Sequence, residues 1–384
     1  MIDGGAVARA TAARPNAMTV DLDAVAHNVR ELKNQAGDDV TFVAALKANA
    51  YGFGLNAIAD TVLAAGADML AVASVDDAIA LRGSGIGAPI MLYGGTRPDP
   101  QVIAEVGAHD IIVTVLDEAD VVAYGSAATT VRAMVKVDVG LERLGVEPGG
   151  AAALVRRLVR EPGLELAGLY THLHVPRGTM SHISAYVDWQ YRRFVDVLTE
   201  LDSDGIDVPL RIAASSGSIR LSEGMTLNGV DVGSLLFGLE PPGPTDRDLG
   251  LRQALVGVTS RLTQARPRLR TEFVDQSPIP TGRPMILGVI PFGATDGFLG
   301  LSAGHVLVRG KRAPVLSISL EHARLDLTGI DDAQPGDEVV ILGRQDTEEI
   351  TMREVATANG LYSPAVVPVL VGRAVPRVYL GGPG

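Results

Sequence analysis

The sequence predicts an α/β protein in which a (β/α)8 barrel is followed by a β-rich domain, and three observations carry that expectation. Eight short β-branched or apolar runs recur at 40–46, 69–74, 89–93, 111–115, 131–137, 166–173, 211–215 and 229–235. Alanine- and leucine-rich segments with helical spacing, such as 55–65, 75–81 and 151–158, lie between most of them. From residue 250 onward the texture changes to alternating strands, with turn signals at Gly310-Lys311 and Pro335-Gly336-Asp337. The run Pro241-Pro242-Gly243-Pro244 reads as the boundary. This gives a barrel over 14–241 and a β-rich domain over 245–384, with residues 1–17 packing on the second. At 384 residues the chain exceeds ordinary single-domain size, so each domain can bury its own core.

In chain order, residues 18–22 alternate as a strand, and Leu22, Val25, Val29 and Leu32 then recur at helical spacing. The strand and helix repeats follow. Beyond the boundary, strands are expected at 285–290, 305–309, 313–319, 324–327 and 338–342, a short helix near 351–358 and a closing strand near 374–380. Arg309, Lys311 and Arg312 form a small basic cluster that reads as a solvated hairpin tip.

Composition narrows the function classes. The net charge of −12 argues against nucleic-acid and anionic-membrane partners, which select basic surfaces. Cysteine is absent, so disulfides, thiolate metal sites and thiol nucleophiles are excluded. No stretch approaches the length of a bilayer span, and the first eighteen residues lack the apolar core of a secretory signal, so a soluble, cytoplasmic protein is expected. None of the seven histidines pair at zinc-helix spacing. His172 and His174 alternate as on a strand, which predicts opposite faces and no shared metal.

Lysine is scarce: Lys33, Lys47, Lys136 and Lys311 are the only four. Lys47 ends an apolar run and precedes a tyrosine and two glycines. A lysine so placed is costly while charged; it finds a partner carboxylate, lowers its pKa or is consumed in a covalent bond. The last two describe a Schiff-base lysine, the first a strand-end ammonium. Barrel enzymes place their chemistry at the C-terminal ends of strands. Lys47 ends the first run, Arg143 follows the fifth, His172 ends the sixth, Ser215-Ser216-Gly217 follows the seventh, and Asp231-Val232-Gly233-Ser234 falls within the eighth. Ser216-Gly217 and Gly233-Ser234 offer backbone N–H groups to an anion, suiting either a phosphorylated sugar or a phosphorylated cofactor.

With these motifs in order, the chain resembles the alanine racemases, pyridoxal-phosphate enzymes built from a barrel and a β domain. Ala44-Ala45-Leu46-Lys47-Ala48-Asn49-Ala50-Tyr51-Gly52-Phe53-Gly54 matches the family's A-V-V-K-A-D-A-Y-G-H-G, and Lys136 through Gly145 match K-V-D-T-G-M-x-R-L-G. Thr171-His172-Leu173 matches T-H-F, and Ala214-Ser215-Ser216-Gly217 matches A-N-S-A. Asp231 through Gly238 match R-P-G-I-x-L-Y-G, 290–297 match P-I-G-Y-A-D-G, and Ala374-Val375-Pro376-Arg377 matches R-V-P-R. The resemblance implies pyridoxal 5'-phosphate on Lys47, with Tyr51, Ser216, Gly233 and Ser234 at its phosphate and Arg143 near its phenolic oxygen and the substrate carboxylate. His172 joins this set, and Lys136 matches a lysine carbamylated in some relatives; the alternative is an ion pair with Asp138 or Glu142. A homodimer is implied, the β domain of one chain closing the barrel mouth of the other around an amino-acid substrate.

The departures fall on the residues that steer the reaction. Asp231 stands where the family has an arginine at the pyridine nitrogen, and a carboxylate there favours the protonated ring. Phe273 stands at the place of the family's acid–base tyrosine and cannot transfer a proton. Ala294 replaces a second tyrosine, Leu320-Glu321 a Met-Asp pair, and Arg373 the C-terminal phosphate tyrosine. Three readings follow: a racemase or epimerase in which Asp275, Glu321 or His322 replaces the missing acid; a decarboxylase, aldolase or transaminase on the same scaffold; or a non-catalytic cofactor-binding protein.

Overall fold

The computed structural model describes residues 14–176, 178–221, 224–239, 248–268, 279 and 283–382. The boundary run at 241–244 lies outside them, as do Phe273 and Asp275. Eight parallel strands close into a barrel: β2 (Thr41–Ala45), β3 (Met69–Val72), β4 (Ile90–Leu92), β5 (Ile111–Val115), β6 (Val131–Lys136), β7 (Leu164–Tyr170), β8 (Leu210–Ser215) and β9 (Gly229–Val232), with β9 returning to β2. Each strand is short and apolar on both faces, as a sheet sandwiched between helices and its own interior requires. The intervening helices are capped by side chains where the sequence supplies them. Ser74, Asp99 and Asp117 accept the N–H three residues on and start the helices Val75–Gly83, Pro100–Ala108 and Glu118–Gly125.

The period of two sorts the strand residues. Val43, Met69, Ala71, Met91, Ile112, Met134, Tyr170 and Ile212 pack together inside the barrel. Their neighbours Phe42, Ala44, Val72, Leu92, Val135 and Val230 join the larger core beneath the helices. The strands end earlier than the sequence predicts. β7 stops at Tyr170 and β9 at Val232, after which Ser234–Phe237 forms a 3-10 turn.

The second body is a ten-stranded sheet. It contains β10 (Leu255–Arg261), β11 (Gln264–Pro267), β12 (Ile286–Ile290), β13 (His305–Val308), β14 (Lys311–Ile318), β15 (Ala323–Asp326), β16 (Glu338–Gln345), β17 (Glu348–Ile350) and β18 (Arg377–Leu380). Its tenth strand is β1 (Ala17–Asp21), which pairs antiparallel with β10 and parallel with β18. The described residues therefore enter the barrel from this sheet, through helix α1 (Leu22–Ala36), capped by Asp21. The basic hairpin tip is ion-paired: Arg309 with Asp337, Lys311 with Asp331, Arg312 with Glu348 and Glu354.

One guanidinium joins the two bodies. Arg377 of β18 donates to the Gly52 carbonyl of the barrel (2.9 Å) and to those of Gly372, Val375 and Val371 (2.7, 2.7 and 2.9 Å). Two residues on, the Tyr379 hydroxyl donates to the Phe53 carbonyl at 2.9 Å. Gly52 sits at φ +87°, and a Cβ there would lie 2.3 Å from the Pro368 carbonyl oxygen. Gly52→Ala is expected to lower the unfolding free energy by about 1–3 kcal/mol, measured by denaturant titration, from backbone strain and forced separation at this seam.

Candidate active site

The segment after β2 is bent into an unusual conformation. Ala48, Asn49, Ala50 and Tyr51 all adopt left-handed φ values between 52° and 56°. Each such residue costs about 1–2 kcal/mol in isolation, so the turn persists only because its surroundings hold it. Asn49 Oδ1 accepts the Leu55 N–H at 2.9 Å, Gly52 N–H reaches the Ala48 carbonyl, and Gly54 N–H reaches that of Asn49. Phe53 stacks on Phe237 with centroids 4.3 Å apart, fixing the turn to the segment after β9. The result aims the Lys47 and Tyr51 side chains at the barrel mouth.

Above the apolar interior lies a polar layer made by the same alternation. Tyr93 is two residues beyond Met91, Lys136 two beyond Met134, and Asp231 sits beside Val43 in the β2–β9 register. The Tyr93 hydroxyl donates to Asp231 Oδ1 at 2.6 Å. Lys47 Nζ stands 5.8 Å from the Tyr51 ring centre and 5.6 Å from that of Tyr93, and Lys136 Nζ lies 5.2 Å from the Tyr170 ring. The Tyr170 hydroxyl in turn meets Thr114 Oγ1 at 2.9 Å.

Loss of water dominates the charges here. Burial lowers the Lys47 ammonium below the ordinary lysine range, with Arg143 reinforcing and Asp231 opposing the shift. Burial and then Arg143 bring Lys136 down to about 8. Burial, then Lys47, Lys136 and Arg143, push the His172 imidazole to about 3, so it is neutral at physiological pH. Asp231 is raised by burial against the Tyr93 hydrogen bond and the two lysines, while the Tyr51 and Tyr93 phenols are raised by burial and then by Asp231.

Two adjoining cavities open on these groups. The larger, about 400 Å³, is lined by Lys47, Tyr51, His172, Ser216, Asp231, Gly233 and Ser234, among others. The smaller, about 250 Å³, shares Lys47, His172 and Asp231 and adds Arg143, Lys136, Tyr93 and Tyr170. Arg373 is exposed and lines neither. Tyr362 and Ser363 of the β-rich body complete the wall of the larger one instead. Glu321 and His322 lie in an exposed turn between β14 and β15 and also line neither.

Two local expectations are corrected. His172 and His174 both line the larger cavity, because the strand ends at Tyr170 and its alternation no longer governs them. Lys136 forms no ion pair among the described residues. The Asp138 carboxylate is instead occupied by the N–H groups of Gly140, Leu141, Glu142 and Arg143, at 2.9–3.1 Å. Those four bonds outweigh its desolvation and hold the Asp138 carboxyl below the usual range.

Tyr93, Tyr170 and Tyr362 are cavity residues that the sequence motifs do not mark. For Tyr93 the signal was available: it stands at the C-terminal end of the 89–93 run, in step with inward-facing Met91. Because unfolded Lys136 titrates near 10.5 and folded Lys136 near about 8, the unfolded chain binds the proton more tightly between those values. Stability is therefore expected to rise across that window, and Lys136→Met to flatten the rise and gain up to about 3 kcal/mol at neutral pH, read by chemical denaturation against pH.

Comparison with known proteins places this geometry. The family model for the alanine racemase N-terminal domain matches residues 20–241, and that for the C-terminal domain matches 276–379. An alanine racemase of Desulfosudis oleivorans is 35% identical over 94% of this chain and 96% of its own. Alanine racemase 2 of Caldanaerobacter subterraneus subsp. tengcongensis is 32% identical over 96% and 95%. The crystal structure of alanine racemase from Bacillus anthracis with bound L-Ala-P superposes with a TM-score of 0.84 at 28% identity, covering 96% of this chain and 95% of that one. The alanine racemase of a D-cycloserine-producing Streptomyces lavendulae gives 0.80 at 29%, covering 95% and 97%. With both domain models matched in order around one lysine-bearing cavity, the chain belongs to the alanine racemase family, whose enzymes depend on pyridoxal phosphate.

Proposed function

We propose that this protein is a pyridoxal-phosphate-dependent amino-acid racemase, with alanine as the first substrate to test. The observation that carries the reading is a desolvated lysine amine, Lys47, sharing one cavity with an incomplete polar cradle. Ser215 Oγ is buried against that cavity without a hydrogen-bond partner among the described residues. Beside it Ser216 Oγ accepts the Gly233 N–H at 2.9 Å, and Gly233 brings its backbone so near the Tyr51 hydroxyl that a Cβ would lie 2.1 Å away. The turns Ser216–Ile219 and Ser234–Phe237 begin at the same wall, where first-turn N–H groups lack intrahelical acceptors. These groups fit a phosphate, with Tyr51 donating and Tyr362, rather than Arg373, which lines neither cavity, supplying a second hydroxyl.

Bound pyridoxal phosphate supplies an electron sink conjugated to the substrate nitrogen. The chain's own residues do the rest. The lowered Lys47 pKa favours the neutral amine, which would hold the cofactor covalently and, once displaced by the substrate amine, would be free to act as the base at one face of the α-carbon. Arg143 orients the substrate carboxylate, and neutral His172 presents no competing proton. The opposite face needs its own acid. In a homodimer, which we also propose, the exposed turn carrying Leu320 and Glu321 would arrive from the partner. Leu320 is 71% and Tyr362 72% exposed in the single chain, which supports such covering.

A second reading is favoured by Asp231: one base on one face with a protonated ring suits decarboxylation, aldol cleavage or transamination on the same scaffold. Incubation with pooled amino acids in heavy water separates the two. Deuterium at the α-carbon with loss of chirality supports racemisation, whereas carbon dioxide, aldehyde or keto acid release supports the second reading. Lys47→Ala is expected to abolish the visible absorbance of the covalently held cofactor; its survival would overturn the Lys47 assignment. Tyr362→Phe is expected to weaken cofactor affinity by roughly 3- to 10-fold in a fluorescence titration, the worth of one hydrogen bond. Light scattering is expected to return twice the 40.1 kDa chain mass.

A further inference from the structure

The carboxylate at the barrel's centre is held on one side only. Asp231, the third residue of β9, is half-buried and lines both cavities. Tyr93, reaching across from β4, is the only hydrogen-bond donor from a described side chain to this carboxylate, and it takes Oδ1. That leaves Oδ2 to meet whatever occupies the space between Lys47 and the cradle. Tyr93 is itself packed against Tyr170, with ring centres 6.4 Å apart, and Lys47 Nζ stands over its ring. The phenol therefore has little freedom to turn away, and the carboxylate plane is set by it.

We propose that Asp231, oriented by Tyr93 as a positioning residue, pairs through Oδ2 with the ring nitrogen of the bound cofactor and keeps that nitrogen protonated. This rests on the cofactor reading above and deepens it. An acidic group facing a pyridine nitrogen shares one proton with it, and the question is which partner holds the proton. A phenol donating to one oxygen stabilises the carboxylate form, as does the nearby Lys136 cation, so the proton resides on nitrogen. Burial pulls the other way and is the larger influence while no cation faces Oδ2, holding the Asp231 carboxyl above the ordinary range; a pyridinium at Oδ2, added to the phenol and Lys136, is the partner that restores the carboxylate. No covalent bond changes in this step; one proton lies between Asp231 Oδ2 and the ring nitrogen.

The test is nitrogen NMR of holoenzyme reconstituted with cofactor isotopically labelled at the ring nitrogen, alongside a separate absorbance titration of cofactor binding. Wild type is expected to show the protonated-pyridine resonance at neutral pH. Asp231→Asn is expected to lose it while still binding cofactor through Lys47. Tyr93→Phe is expected to move the resonance toward the neutral-pyridine position, and a purely structural role for Tyr93 would leave that resonance in place. A neutral ring nitrogen in loaded wild type, or an unchanged protonated signal in Asp231→Asn, overturns the proposal and leaves the cofactor reading intact. Failure to bind cofactor at all in wild type overturns the cofactor reading and the proposal with it.

Discussion

Three cations and one carboxylate share the mouth of this barrel, and the surrounding chain is arranged around that imbalance. Buried Lys136, half-buried Lys47 and exposed Arg143 line one cavity, and Asp231 opposes them, with Asp138 adding to it at Lys136. Buried like charges cannot all stay ionised without a ligand, and the group that gives way first is the one most easily deprotonated. His172 yields completely, Lys136 part of the way, and Asp138 is withdrawn by the four N–H groups of its own loop. A site left with excess positive charge and a lysine amine of lowered pKa suits an anionic ligand. Phosphate and carboxylate both satisfy it, and the bound ligand supplies the missing charge.

That arrangement depends on a joint far from the charges. Four strained residues separate Lys47 from Gly52, and the carbonyls at the end of that turn are held by Arg377 and Tyr379, which belong to the last strand of the other body. The same C-terminal stretch supplies Tyr362 and Ser363 to the cavity wall. β1 adds a third tie, since it lies between β10 and β18 before the chain enters the barrel. The β-rich body is thus the clamp that keeps the lysine turn in a conformation the turn would not adopt alone, and it also forms one wall of the cavity. Binding and barrel geometry are linked through a few backbone carbonyls.

Much of this was legible from period and spacing. The eight strands were readable because a barrel strand is buried on both faces and the sequence between them carries helical periodicity. Lys47, Ser216, Asp231, Gly233 and Ser234 are readable because strand ends fix where polar residues collect, whereas Tyr51 follows only from the family resemblance. What escaped were features with no local signature. The left-handed run from Ala48 to Tyr51 contains no glycine, and its conformation is imposed by contacts with segments some 180 to 330 residues away. Tyr362 comes to the cavity from a coil whose destination depends on the fold of the whole second body, so motif order pointed to Arg373 in its place. His172 and His174 were misassigned to opposite faces because the sequence does not mark where β7 stops hydrogen bonding.

The lysine and the carboxylate bear on different questions. In the function proposed above, Lys47 and its cradle would govern whether an amino acid can be held through the cofactor at all. Asp231 governs how long negative charge survives at the α-carbon, because a protonated ring withdraws electrons far more strongly than a neutral one. With an arginine at that place, charge development is limited and a proton must return quickly from the opposite face. With Asp231 fixed by Tyr93, the carbanion is better stabilised, and rapid return matters less. If Phe273 stands where the resemblance puts it, at the place of a proton-transferring tyrosine, the proposed role of Asp231 is consistent with it: the residue that would hurry the proton back would be missing, and the residue that makes hurrying less necessary would be present. The two departures are physically coupled, and a substitution at either position is interpretable only with the other in view.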